Sequence, residues 1–259
     1  MISFTEAQIE QWMADFLLPF IRVAALITAA PVLNVRQIPA RFKALLAVLI
    51  TWAALPLLPP MPVVEVLSAE GLLIVAQQIA IGAAMGFMFQ LAFNALVFGG
   101  QVMAYSMGLG FAHMMDPANG VQVPVVSQYW MILAMLAFLL SNGHLVLLAG
   151  VAQSFEILPV ATDGLTRAGL WTLIEWSSAL FASGLLMALP IIIALLLVNI
   201  GMGVVSRASP QLNIFAIGFP ITLLVGFVLM WVSLPHVMGG FGLLVNEAMS
   251  VSLDILGTR

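Results

Sequence analysis

Six long apolar stretches limit what this chain can fold into. They run over residues 16–33, 44–58, 71–99, 129–151, 171–205 and 212–234, where an α-helix needs about 20 apolar residues to cross the hydrocarbon core of a bilayer. Stretch 44–58 is short by itself and ends in Pro56, Pro59, Pro60 and Pro62, which stop a helix. With Arg41 to Lys43 as a snorkelling flank it reaches spanning length. Charge is too sparse for a globular surface: 7% of the 259 residues are Asp, Glu, Lys or Arg, against about 25% in average soluble proteins. Mean hydropathy is +1.16. These values argue against a disordered chain, a nucleic-acid-binding domain and an ordinary cytosolic enzyme. They predict an all-α, polytopic membrane protein with about six helical segments. Cysteine is absent, which removes disulfides, thiolate metal sites and cysteine nucleophiles.

Charge placement orients the segments. Glu6, Glu10 and Asp15 precede the first stretch without a base, the reverse of a signal-peptide n-region. Arg36, Arg41 and Lys43 lie in the 34–43 connection and Arg207 in 206–211. The intervening connections carry Glu65 and Glu70, then Glu156, Asp163 and Arg167. Four of seven bases thus fall in alternate connections, which by the positive-inside rule places both termini away from the cytoplasm.

Two segments depart from simple crossings. Stretch 171–205 is long and contains Pro190, so a tilted or kinked helix is expected. Segment 100–127 is apolar at 15 of 28 positions, with Asp116 its single full charge and Gly99, Gly100, Gly108, Gly110, Pro117, Gly120 and Pro124 breaking it. Irregular backbone at membrane depth survives only inside protein or along a water-filled path. A re-entrant, plug-like loop over 100–127 is therefore expected. Met103, Met107, Met114 and Met115 concentrate there beside Tyr105 and Phe111. Flexible thioethers repack readily, which suits a deformable seal. Ordinary core filling is the plainer alternative.

Small and amide residues mark helix contacts. Gln78, Gly82, Gly86, Gln90 and Asn94 recur every four residues, along one slowly drifting helix ridge. Gly218, Thr222 and Gly226 repeat the device. Such seams bring helices close, either within the chain or between subunits.

Catalytic patterns are missing. There is no phosphate loop, zinc-protease helix or nucleophile elbow. His113, His144 and His236 lie far apart, and a structural role is expected for each. No enzyme, metal site or cofactor is predicted. Arg22 and Glu175 sit near span ends, where they can snorkel or pair at the interface. Only Asp116 could reach the midplane if its loop re-enters, so a proton-coupled transporter is poorly supplied with acids.

Two stretches resemble the FliR family of flagellar and injectisome type III export-gate proteins. The first is Gly100-Gln101-Val102-Met103 through Ser106-Met107-Gly108 to Met115-Asp116-Pro117, followed by Pro124 and Ser127-Gln128. The second is Arg207-Ala208-Ser209-Pro210-Gln211-Leu212-Asn213-Ile214-Phe215, then Ile217-Gly218-Phe219-Pro220. Its Gly-Phe-Pro ending favours the flagellar branch. The resemblance covers essentially the whole chain.

It implies a structural and gating subunit, in the bacterial inner membrane at the flagellar basal body, that joins FliP and FliQ in a spiral pore with FlhB around its cytoplasmic side. Unfolded flagellar proteins would be the substrates, and membrane lipid a further contact. Residues 1–165 would be the FliP-like part and 166–259 a FliQ-like hairpin of long, kinked helices, turning at Arg207, Pro210, Gln211, Asn213, Phe215, Gly218 and Pro220. The plug would be built from Met103, Met107, Gly108, Leu109, Gly110, Phe111, Ala112, His113, Met114, Met115, Asp116 and Pro117. With this resemblance the glycine seams read as contacts between subunits. A self-contained transporter or channel is the alternative, and an intramembrane hydrolase lacks converging polar groups.

Overall fold

The computed structural model describes residues 6–34, 38–62, 64, 66, 68–110, 125–209 and 214–258, with only the backbone at 6–10 and 214–216. Among these residues every regular element is helical. The helices are α1 (Glu6–Ala29), α2 (Ala40–Ala54, continued by a 3-10 turn at Leu55–Leu57), α3 (Ala69–Ser106), α4 (Val125–Leu140), α5 (Gly143–Ile157), α6 (Arg167–Trp176), α7 (Ser178–Ala208) and α8 (Ile214–Gly257). Among the described residues five spans are long and apolar enough to cross a membrane, and a sixth is reached if α4 and α5 count as one.

Three boundaries differ from expectation for physical reasons. Helix α3 does not stop at Gly99 and Gly100 but continues to Ser106, and α4 begins at Val125, so the loop expected over 100–127 is shorter at both ends. The two glycines serve close packing. A Cβ on Gly99 would lie 2.6 Å from the Gly184 carbonyl oxygen, and one on Gly100 2.9 Å from Cα of Ser127. These contacts offset the roughly 1 kcal/mol that each glycine costs a helix. Stretch 129–151 is two helices rather than one, because Asn142 adopts the left-handed conformation at φ 58°, which Asn tolerates better than most residues. Helix α8 runs 44 residues through Pro220 and Pro235, well beyond the end of the sixth stretch. Pro190 likewise lies inside α7.

Contacts divide the chain into two compact units. The first comprises Met1–Leu91, Ser141–Ser177 and Val245–Arg259, the second Ala92–Leu140 and Ser178–Leu244. This division follows contact density.

In the first unit, α1 lies against α3, with Leu18, Leu26, Ile74 and Ile81 buried. Gly150 of α5 receives the side chain of Met249, and Gly169 of α6 faces the Ile255 carbonyl. Thr166 caps α6 by accepting from Gly169 N at 3.0 Å, and its hydroxyl donates to the Thr258 carbonyl at 3.0 Å. The second unit has an aromatic centre, where Phe93 meets Phe138 and Phe241 edge-on at 5.5 and 5.0 Å. Edge-to-face pairs of this kind contribute about 0.5–1.5 kcal/mol beyond area burial.

Candidate functional site

Two places carry the residues singled out in the sequence. The first is the end of α3, where the chain enters the expected loop. Met103 and Met107 are buried. Met107 sits over Gly226 of α8, where an added Cβ would come within 2.6 Å of the Met107 methyl carbon. One turn away, the Thr222 hydroxyl approaches the Met107 carbonyl at 3.4 Å. Gly218, Thr222 and Gly226 are all buried, so the i+4 ridge read on this helix forms the floor beneath Met107. Gly108 then leaves the helix at φ +85°, a conformation that costs a residue with a Cβ about 1–3 kcal/mol. A Cβ there would also press on the Phe219 ring at 3.2 Å. The Leu109 amide donates to the Ala104 carbonyl at 3.0 Å, and Gly110 lies over the Tyr105 ring. Phe111, Ala112, His113, Met114, Met115, Asp116 and Pro117 lie outside the described residues. Leu109 also lines an almost wholly apolar cavity of about 510 Å³ with Val126, Tyr129, Phe227, Met230 and Trp231.

The second place is the α1–α3 seam. Gln78, Gly82 and Gly86 are buried in it. A Cβ on Gly82 would collide with the Arg22 carbonyl oxygen and lie 2.9 Å from the Ala25 Cβ. One on Gly86 would lie 2.6 Å from the Ala29 Cβ and 2.8 Å from the Leu26 carbonyl. These three residues therefore face helix α1 of the same chain. Gln90 is exposed and Asn94 half-buried. Each four-residue step turns the ridge by about 40°, so by Gln90 it has rotated out of the contact.

Arg22 does not snorkel. It is wholly buried, with Nε donating to Gln78 Oε1 at 2.7 Å. Nη1 donates to the Ser154 carbonyl at 3.0 Å and to Ser154 Oγ at 3.1 Å, and Nη2 to the Leu158 carbonyl at 3.0 Å. The guanidinium lies 4.0 Å from the Phe155 ring centroid. Helix α5 ends at Ile157, where the Ser154 carbonyl already accepts from the Leu158 amide at 3.0 Å. Arg22 adds a second donor to that carbonyl and places its cation at the helix C-terminus, where the macrodipole favours positive charge. Gln78 Nε2 remains buried without a partner.

The remaining predicted positions are dispersed. Arg207 is exposed in the last turn of α7. Pro210, Gln211 and Asn213 lie outside the described residues. Phe215 is in the first turn of α8, and Pro220 is inside that helix. His236 is exposed and His144 half-buried. Among the described residues no three His, Asp or Glu side chains converge on a metal position.

Comparison with known proteins decides the family. The family described as "Bacterial export proteins, family 1" matches residues 13–248. The chain belongs to that family. The flagellar biosynthetic protein FliR of Escherichia coli (strain K12) is 39% identical over 256 residues, covering 99% of this chain and 98% of the relative. FliR of Pectobacterium carotovorum subsp. carotovorum is 38% identical with the same coverage. FliR of Bacillus subtilis (strain 168) is 27% identical over 219 residues, covering 83% of this chain and 84% of the relative. A family of export proteins matches a chain built of long apolar helices. The residues read as a plug and a hairpin turn lie within the matched span.

Proposed function

We propose that this chain is a structural and gating subunit of the flagellar type III export gate, assembling with FliP and FliQ around a pore for unfolded proteins. On this reading it lies in the bacterial inner membrane at the flagellar basal body, next to FlhB, and performs no catalysis. The name shared by relatives of near-equal length supports the flagellar assignment. One observation carries the subunit role. On the long apolar helices α7 and α8, Gly201, Gly203, Gly239 and Gly242 have none of the described residues within 4 Å of the position a Cβ would take. Glycine destabilises a helix interior by about 1 kcal/mol relative to alanine, and membrane helices carry small residues where another backbone approaches. Partner helices are the occupants this reading assigns to them.

The gating role is supported by Met107, Gly108 and Gly226. A helix end fixed on α8 and broken by a left-handed glycine lets the following Met-rich segment act as a stopper on a firm base. The two-part likeness, with residues 1–165 similar to FliP and 166–259 to FliQ, belongs to the same proposal. The test is purification. Expressed with FliP and FliQ, the chain should elute as one stable complex with them; alone, it should aggregate or elute broadly. A monodisperse, solute-binding single chain that ignores both partners would contradict the proposal and favour a self-contained transporter.

A further inference from the structure

Helix α2 has two faces suited to different neighbours. Ala47 and Thr51, both small, are buried in a helix that lies against α1. Phe42, Leu45, Leu49 and Trp52 are each more than half exposed. They are spaced by three, four and three residues, which lines them up on one side of a helix. At this interval the side chains of one helix interlock with those of another as knobs in holes. Hydrocarbon chains impose no such periodicity on the surface they cover.

One end of this seam is basic. Arg41 is exposed, its guanidinium 5.3 Å from the centroid of the adjacent Phe42 ring. Lys43 is tied to its own chain, donating to Asn34 Oδ1. No Asp or Glu occurs between Asp15 and Glu65, so the first turn of α2 holds no acid. Both cations therefore stand at the positive end of the helix macrodipole, and this stretch supplies no carboxylate to offset them. A neighbour that covers the seam takes Arg41 out of water at its margin, and a desolvated charge needs a counter-charge. Given the gate function proposed above, on which this rests, we infer that the Phe42, Leu45, Leu49 and Trp52 seam docks one apolar helix of a neighbouring gate subunit, which carries an Asp or Glu where it passes Arg41. Spacing selects a helix as the occupant, and charge complementarity selects its acid.

The test uses the full chain purified with FliP and FliQ. A photoreactive benzophenone amino acid in place of Leu45 or Leu49 should form a covalent link to one partner polypeptide. The same group in place of the half-buried Ile50, off the seam, should link several-fold less. Mass spectrometry of the linked peptide should find an apolar segment containing Asp or Glu. Arg41→Glu sets like charges against each other and should lower recovery of the complex by about tenfold or more. Changing the mapped acid to Lys should then restore recovery, a rescue that a role for Arg41 in its own fold would not produce. Links to lipid alone, or none from Leu45 and Leu49, in a complex that still elutes whole would overturn the docking surface and leave the gate function standing. A linked peptide without an acid, or no rescue on charge exchange, would overturn the charge assignment. If the parent chain does not elute with FliP and FliQ at all, both the gate function and the docking surface fall.

Discussion

Gly82 and Gly201 are the same residue in the same kind of long apolar helix, yet their surroundings are opposite. Gly82 meets the backbone of α1 and has no room for a methyl group, whereas Gly201 has none of the described residues within 4 Å of its Cβ position. The first glycine is explained by the chain's own packing. The second costs helix stability and receives no compensating contact from the described residues. The first kind of position builds the subunit, and on the proposed function the second kind builds the assembly.

The largest effect should come from disturbing the built side at Arg22. Replacing Arg22 with Leu leaves Gln78 Oε1 and the Leu158 carbonyl without this donor, at about 1–3 kcal/mol for each buried group, while the Ser154 carbonyl keeps the Leu158 amide. The chain should lose most of its fold in a detergent thermal-unfolding assay, and a melting temperature equal to that of the parent would show that the cluster is not structural. Arg22→Lys should rescue only part of the loss, because one ammonium cannot match the planar fork of the guanidinium. A smaller effect is expected at Gly82. Alanine there must push on backbone, and overpacking of this kind costs about 1–3 kcal/mol. The smallest belongs to the open positions. Gly201→Ala and Gly242→Ala should change the stability of the isolated chain by no more than about 1 kcal/mol, with helix propensity favouring alanine. Gly201→Leu should nevertheless reduce recovery of the complex with FliP and FliQ. If Gly201→Leu leaves recovery unchanged, the distinction between closed and open seams loses its functional meaning.

Much of this was legible from residue spacing, and the failures have local causes. The Gln78, Gly82 and Gly86 ridge was readable because an i+4 series keeps one helix face. Extending it to Gln90 and Asn94 ignored the rotation that carries Gln90 into exposure. Gly99 and Gly100 were read as breakers, whereas tertiary contact with Gly184 and Ser127 keeps them helical. The break at Asn142 did carry a signal, since Asn-Gly is a turn dipeptide, but it was hidden inside an apolar stretch. The partners of Arg22 were beyond reach, because Ser154 and Leu158 lie 132 and 136 residues away and offer mainly backbone oxygen. Met107 and Gly108 were singled out by composition, but their seating on Gly226 required the path of α8.

The account depends most on the Met- and Gly-rich segment after α3 being a stopper. Deleting Gly108–His113 in the assembled complex and measuring ion conductance across a bilayer tests it directly. A gate that still assembles but passes small ions at rest is the predicted result. An assembled gate as ion-tight as the parent would contradict the claim.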